Sequence, residues 1–196
     1  MIISAIWNPK GGCGKSTLTI NLASAVHKTG KKALVIDKDI QGSLGDLKEA
    51  GKVHFDVLRE MPNDRPAVDF IFVDYPAQHF SSLIYGEKFV ITPVLPCRMD
   101  FRVFFKSLSH VKDAKNLLVV NKVDFRLQEH RNIAMTMKGR GASIIRQRSA
   151  YERANGLDSN IFDPACDSIN NISHARAEIN SLLNTLVEKT KTKAAA

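Results

Sequence analysis

The sequence predicts an α/β fold: a doubly wound, mostly parallel sheet flanked by helices. Three observations predict it. Short apolar runs alternate with amphipathic stretches along most of the chain, the pattern of repeated strand–helix–strand units. The runs are apolar throughout, as strands buried on both faces must be. The residues suited to phosphate and cation chemistry stand just after those runs, and ligands of open α/β sheets bind at the carboxyl ends of strands.

The first run, Ile2 to Asn8, feeds the loop Pro9-Lys10-Gly11-Gly12-Cys13-Gly14-Lys15-Ser16-Thr17, and Leu18 to Lys28 then reads as a helix. Strand, glycine-rich loop and helix in that order form a phosphate-binding P-loop. Glycines let the backbone curl so that several N–H groups converge on one anion. The helix start adds unpaired N–H groups and the positive end of its dipole. Lys15 is placed for the outer phosphates and the Ser16 hydroxyl for Mg2+.

The general pattern G-x-x-x-x-G-K-[ST] asks for a glycine where this chain has Pro9, and Lys10 starts the loop instead. Lys10-Gly11-Gly12-Cys13-Gly14-Lys15-Ser16-Thr17 resembles, at all eight positions, the deviant Walker A box K-G-G-x-G-K-[ST]-[ST] of the ParA/MinD family of ATPases. The resemblance implies a P-loop NTPase fold with ATP and Mg2+ as ligands. It also implies a role for Lys10: crossing a nucleotide-sandwich dimer to reach the partner's phosphates, like an arginine finger supplied in trans.

Gly30 stops the first helix. Ala33-Leu34-Val35-Ile36-Asp37 is the next buried strand, completing a βαβ unit with a right-handed crossover. The following Asp37-Lys38-Asp39-Ile40-Gln41-Gly42-Ser43 resembles the family's D-x-D-P-Q-G-S box, with Ile40 replacing the proline. That resemblance places Asp37 near the Mg2+ and makes Asp39 the group that orients the attacking water. Leu44 to Pro66 carries weak signals, a short strand at 53–57 and a helical turn at 58–61. Val68 to Asp74 is a clear strand ending in a Walker B carboxylate, Asp74, suited to hold Mg2+ through water. Tyr75-Pro76-Ala77 resembles the family's switch after that strand, a loop able to sense the γ-phosphate. His79 beside it reads as a surface or packing residue.

Lys88 to Val94 is another buried strand, ended by Pro93 and Pro96. Asp100 to Asp113 reads as a helix with Phe101, Phe104, Phe105, Leu108 and Val111 on a core-facing stripe. Lys115 to Val120 is a strand capped by Asn121-Lys122-Val123-Asp124. In ParA-like proteins an Asn at this strand end contacts adenine; Asn-Lys-x-Asp is also the guanine-reading string of many GTPases. The P-loop and the box around Asp37 favour ATP. A helix over 125–137, a break at Gly139-Arg140-Gly141, a short strand at 142–145 and a small helix before Gly156 follow. Ser173 to Glu188 is the last helix, residues 1–189 form one domain, and 190–196 are a frayed tail.

A length of 196 residues and 44% hydrophobic content support a single domain with a substantial core. No apolar run reaches the ~20 residues a bilayer span requires. Met1-Ile2-Ile3 enters the first strand without a basic leader, so the expected compartment is the cytoplasm. Cys13, Cys97 and Cys166 have no metal-ligand spacing and suit no disulfide framework. They also give no support to an iron–sulfur reductase.

The net charge of +8 favours a polyanionic partner. The family resemblance offers three branches. The first is a partition or cargo-positioning ATPase on the nucleoid, binding DNA nonspecifically as an ATP-dependent homodimer. A ParB-like centromere-binding protein or cargo adaptor would stimulate its slow hydrolysis. Arg126, Arg140, Arg146, Arg148, Arg153 and Arg176, with Arg131 and Lys138, are its candidate phosphate contacts, about half of them expected to be solvated or paired with carboxylates. The second branch is a MinD-like membrane ATPase. It is disfavoured because the last helix lacks aromatics and the Lys-Thr-Lys-Ala-Ala-Ala end has no apolar face. The third is a nonhydrolytic nucleotide switch such as a conjugation helper, which the retained Lys10, Lys15, Asp39 and Asp74 argue against.

Overall fold

A computed structural model of the chain describes residues 1–39, 43–77 and 83–191. The expectations for Ile40, Gln41, Gly42, His79 and 192–196 lie outside the described residues. The strands are β1 (Ile2–Ile6), β2 (Ala33–Asp37), β3 (Asp56–Leu58), β4 (Phe70–Asp74), β5 (Phe89–Val94), β6 (Lys115–Val123) and β7 (Ser143–Arg146). The helices are α1 (Lys15–Lys28), α2 (Ser43–Glu49), α3 (Arg98–Ser107), α4 (Gln128–Gly139), α5 (Ser149–Gly156) and α6 (Ile172–Lys191). The strands form one sheet in the order β3-β2-β4-β1-β5-β6-β7, and every pairing is parallel. The doubly wound α/β expectation is met, with β1 and its loop near the centre, where the direction of winding reverses.

Each face of the sheet is covered differently. On one face α1 packs on β4 and against α6, and Leu18, Leu22, Val26, Ile179, Leu182 and Leu186 share one core cluster with Phe70 and Phe72 of β4. Leu22 is fully buried, so Leu22→Ala is expected to cost about 2–5 kcal/mol. On the other face Trp7, Ile36, Ile71 and Val73 lie under Met61, Val68, Leu83 and Tyr85, residues of the β3–β4 and β4–β5 connections. Among the described residues neither connection contains a helix. The far end of that face is covered by α3 and α4, with Phe101, Phe104 and Ala134 on Val94, Val120 and Val123.

Several local expectations are corrected. The sequence reading gave 43–49 no helix, and α2 is there, with Leu44 in the core. The edge strand is Asp56–Leu58, so Leu58 belongs to β3 and no helical turn covers 58–61. Val53 and Phe55 are buried as loop residues. Helix α3 stops at Ser107, and a single 3-10 turn, Leu108–Val111, continues it. Phe105 is 51% exposed rather than core. It lies one residue, or about 100° of helix rotation, beyond the buried Phe104, and the two ring centroids stand 5.1 Å apart. Strand β6 runs through Asn121 to Val123, with an irregular register between Val120 and Val123. Helix α4 begins at Gln128, not Phe125, because Leu127 N–H closes a turn on Asp124 O at 3.1 Å. Helix α6 reaches Lys191, two residues into the expected tail.

Candidate phosphate and cation site

The loop from Asn8 to Gly14 is held from several sides. Asn8 Nδ2 donates to Pro93 O at 2.6 Å, and its Oδ1 accepts from Lys10 N at 2.9 Å. Gly14 has φ 93° and precedes the first turn of α1. A Cβ there would be strained by that φ and would run into Asn121 Nδ2. Asn121, buried at the end of β6, donates from that same nitrogen to Cys13 O at 2.7 Å. Lys122, at φ 56°, brings its ammonium 3.1 Å from Gly12 O. Lys15 folds back over the loop, its Nζ 3.3 Å from Lys10 O. Ser16 and Thr17 stand half-buried on the first turn of α1. Cys13 is buried, and burial pushes its thiol above the usual range, which makes it a poor nucleophile.

The two lysines of the loop part company. Lys10 turns away to pair with Asp100 of α3, donating from Nζ to Oδ1. That hydrogen bond holds the ammonium above the usual lysine range. Cys97 Sγ also donates to Asp100 Oδ1, at 3.0 Å. Asp100 is buried, and its second oxygen has no hydrogen-bond partner among the described residues.

The carboxylates stand at the ends of neighbouring strands. Asp37 of β2 is in register with Asp74 of β4, and Asp74 with Ile6 of β1, just before the loop. Asp74 is 1% exposed, and neither of its oxygens makes a hydrogen bond of regular geometry among the described residues, although the Ser16 and Thr19 hydroxyls lie close to it. Burial pushes its pKa up to about 7, with the charge of Asp37 adding to the shift; the Ser16 and Thr19 hydroxyls and the Lys15 ammonium act the other way. Asp37 is raised mainly by burial as well. Its Oδ1 accepts from Asp39 N at 3.1 Å, and its Oδ2 lies 3.6 Å from Arg59 Nη1.

Two buried carboxylates facing a phosphate loop, one with both oxygens unpaired, fit a hard divalent cation. Among the described residues no three His, Cys, Asp or Glu side chains converge as a full protein cage. Mg2+ is typically held by one or two carboxylates together with substrate phosphates and water. Beside Gly14 and Asn121 a cavity of about 170 Å³ opens between the ends of β6 and β7, lined also by Gln147, Arg148 and Tyr151.

The structure thus gathers Lys10, Gly11, Gly12, Cys13, Gly14, Lys15, Ser16, Thr17, Asp37, Asp39, Asp74 and Asn121 at the carboxyl edge of the sheet. Local sequence pattern marks neither Arg59 nor the partner role of Asp100, while Lys122 lies in the Asn121-Lys122-Val123-Asp124 string noted above. Arg59 directly follows a three-residue edge strand that carries no periodic signal, and the pairing of Asp100 with Lys10 needs the β1–β5 adjacency.

The six arginines proposed as phosphate contacts differ in their surroundings. Arg148 bonds Glu178 at 2.5 Å and is mostly buried. Arg176 donates to Ile161 O at 2.6 Å and to Asp167 at 2.6 Å. These two hold the fold. Arg126 pairs with Asp124, whose carboxyl it lowers to about 2. Arg146 lies 4.9 Å over the Phe125 ring. Arg140 and Arg153 are exposed. Among the described residues no helix is long and apolar enough to cross a membrane.

Comparison with known proteins agrees with this geometry. The family model of the CobQ/CobB/MinD/ParA nucleotide binding domain matches residues 4–161. Maintenance of carboxysome distribution protein A of Halothiobacillus neapolitanus is 26% identical over 210 residues, covering 93% of this chain and 95% of the relative. A plasmid partition protein of Borrelia burgdorferi, solved bound to AMPPNP, superposes with a TM-score of 0.74 at 15% identity, covering 96% of this chain and 99% of that one. The ATP complex of a single-residue variant of Cyanothece McdA gives 0.68 at 12% identity, covering 95% and 96%. The two structures show the shared fold.

Proposed function

The chain belongs to the CobQ/CobB/MinD/ParA family of nucleotide-binding domains, and from that premise we propose that it is a Mg2+-dependent, ParA-type positioning ATPase. In this reading ATP builds a homodimer that binds DNA without sequence preference, and a ParB-like protein or cargo adaptor stimulates slow hydrolysis. The observation that carries the reading is the pair Asp37 and Asp74, buried and in register beside a loop that ends in Lys15 and Ser16.

The roles of the loop and the metal ligands follow from chemistry, and those of Asp39, Asn121 and Lys10 from the family resemblance. The amides of Gly11 to Lys15 and the Lys15 ammonium offset phosphate charge. Ser16, Asp37 and Asp74 hold the Mg2+, which when bound neutralises charge on the outer phosphates. Asp39 orients water. Asn121 and the adjoining cavity receive the base. Lys10, released from Asp100, reaches the phosphates of the partner subunit. The full-length similarity to a carboxysome distribution protein and the net charge of +8 support a cargo carried over DNA.

The test is a DNA mobility shift at two salt concentrations with ATP, ADP or no nucleotide, alongside sedimentation with anionic liposomes. ATP-dependent, salt-sensitive DNA binding without liposome binding is the expected result. Liposome binding alone would replace this reading with a membrane-bound one, and neither would leave a soluble nucleotide switch.

A further inference from the structure

Beyond the nucleotide loop, a second set of contacts grips the segment that follows β2. Strand β3 is three residues long and lies at the sheet edge, with Leu58 in register with Ile36. The next residue, Arg59, is therefore level with Asp37. Its Nη1 donates to Asp39 O at 2.5 Å and lies 3.4 Å from Asp37 O. A guanidinium carries donors in a rigid plane and can hold two carbonyls and a carboxylate edge together.

Glu60 works on the same segment from one residue further. It accepts from the Lys38 ammonium through Oε1 and from Tyr85 Oη at 2.6 Å through Oε2. Tyr85 N donates to Glu87 Oε2 at 2.9 Å, and Glu87 Oε1 accepts from Tyr75 Oη at 2.6 Å. Tyr75 follows Asp74. Contacts thus run from Lys38 through Glu60, Tyr85 and Glu87 to Tyr75 at the end of β4, while Arg59 holds Asp39. A direct backbone link, Lys38 N to Asp74 O at 2.9 Å, closes the ring.

We propose that Arg59 and Glu60 are positioning residues that clamp Lys38–Asp39 against the end of β4, so that Asp39 is set relative to Asp74 before the reaction. This inference rests on the hydrolytic reading above. Arg59 and Glu60 are exposed, with side chains 56% and 71% accessible, so replacing them disturbs little of the apolar core, although Arg59→Ala also removes the cation beside the buried Asp37 carboxylate. Their main contribution is to the order of this segment.

The experiment compares Arg59→Ala, Glu60→Ala and Arg59→Lys with the unmodified chain in steady-state ATP turnover. Hydrogen exchange is followed at the amides of Lys38 and Asp39, which bond to Asp74 O and Asp37 Oδ1. Arg59→Ala is expected to lower kcat about ten- to a hundredfold, the scale of a small misplacement of a catalytic group. KM for ATP should change little, Tm should fall only modestly through the lost cation beside Asp37, and both amides should exchange faster. Arg59→Lys should recover part of kcat, and Glu60→Ala should act in the same direction as Arg59→Ala. Unchanged kcat with unchanged exchange would overturn the clamp. So would a fall in kcat that comes with an equal loss of ATP affinity and of Tm. If the unmodified chain does not hydrolyse ATP, the ATPase reading fails. Exchange then decides the clamp alone: faster exchange in Arg59→Ala upholds it as a restraint on Lys38–Asp39, and unchanged exchange rejects it.

Discussion

The ammonium of Lys10 is paired with the carboxylate of Asp100, a residue 90 positions along the chain on α3. The lysine that the motif assigns to a partner's phosphates is thus held by its own subunit. The side chains differ in environment: Lys10 is 42% exposed and Asp100 1%. Reaching a partner requires Lys10 to leave a buried carboxylate, so nucleotide and partner must together outweigh the pair.

The pair makes the two single variants unequal. Lys10→Ala leaves a buried carboxylate with only the Cys97 thiol, whereas Asp100→Asn leaves an exposed ammonium free to hydrate. Lys10→Ala should therefore lower Tm more than Asp100→Asn, and the double variant should be more stable than Lys10→Ala alone. Thermal denaturation of the three checks this. In turnover assays Lys10→Ala should retain most ATP binding and lose hydrolysis; turnover at the unmodified rate would defeat the in-trans assignment.

Asp74 makes stability depend on pH. Its folded pKa is raised from 3.8 to about 7, so its protonated form favours the folded state. That contribution is fully present below about 3.8 and is lost as pH rises through about 7. Asp74→Asn carries no such charge. Without nucleotide, its Tm advantage over the unmodified chain should grow between pH 5 and pH 8. Added Mg-ATP should raise the Tm of the unmodified chain and fail to raise that of Asp74→Asn. A constant Tm difference across this range would contradict the assignment.

Gly14→Ala and Asn121→Ala disturb one contact in opposite ways. The added methyl collides with Asn121 at a backbone φ of 93°, while the asparagine truncation frees Cys13 O and opens the loop. Gly14→Ala should reduce ATP affinity at least about a hundredfold, given strain and displaced amides together. Asn121→Ala should cost about 1–3 kcal/mol of stability for the lost buried hydrogen bond and weaken ATP binding less. Calorimetric titration of both variants distinguishes them.

The arginines divide into two groups. Arg148→Ala and Arg176→Ala should lower Tm by breaking contacts to Glu178 and to the 161–167 segment. Arg140→Ala and Arg153→Ala should leave Tm unchanged and, where they contact DNA, reduce the salt slope by about one each. DNA affinity measured across a salt series for the latter pair tests this.

What the sequence revealed follows from where chemistry and periodicity were strong. The loop from Lys10 to Thr17 and the strand-end aspartates were legible because phosphate binding requires those residue types at that spacing, and the apolar strands β2 and β4 were legible because both faces are buried. The region from 43 to 66 was not. Helix α2 is short, and β3 is a three-residue edge strand whose Leu58 is 40% exposed, so neither leaves a periodic signal. Lys10 with Asp100 and Asn121 with Cys13 were hidden for a different reason. Both pairs depend on which strands are neighbours, which local pattern does not specify. Among the arginines, Arg126, Arg148 and Arg176 have carboxylate partners, in line with the expectation that about half would be solvated or paired, but which ones they are depends on tertiary neighbours that local pattern does not specify.

The most direct test of the central claim is calorimetric titration of Mg-ATP into the unmodified chain and into Lys15→Ala. The account predicts saturable binding by the former, lost in the latter and lost from the former when Mg2+ is chelated. Equal binding by both proteins, or binding indifferent to Mg2+, would contradict it.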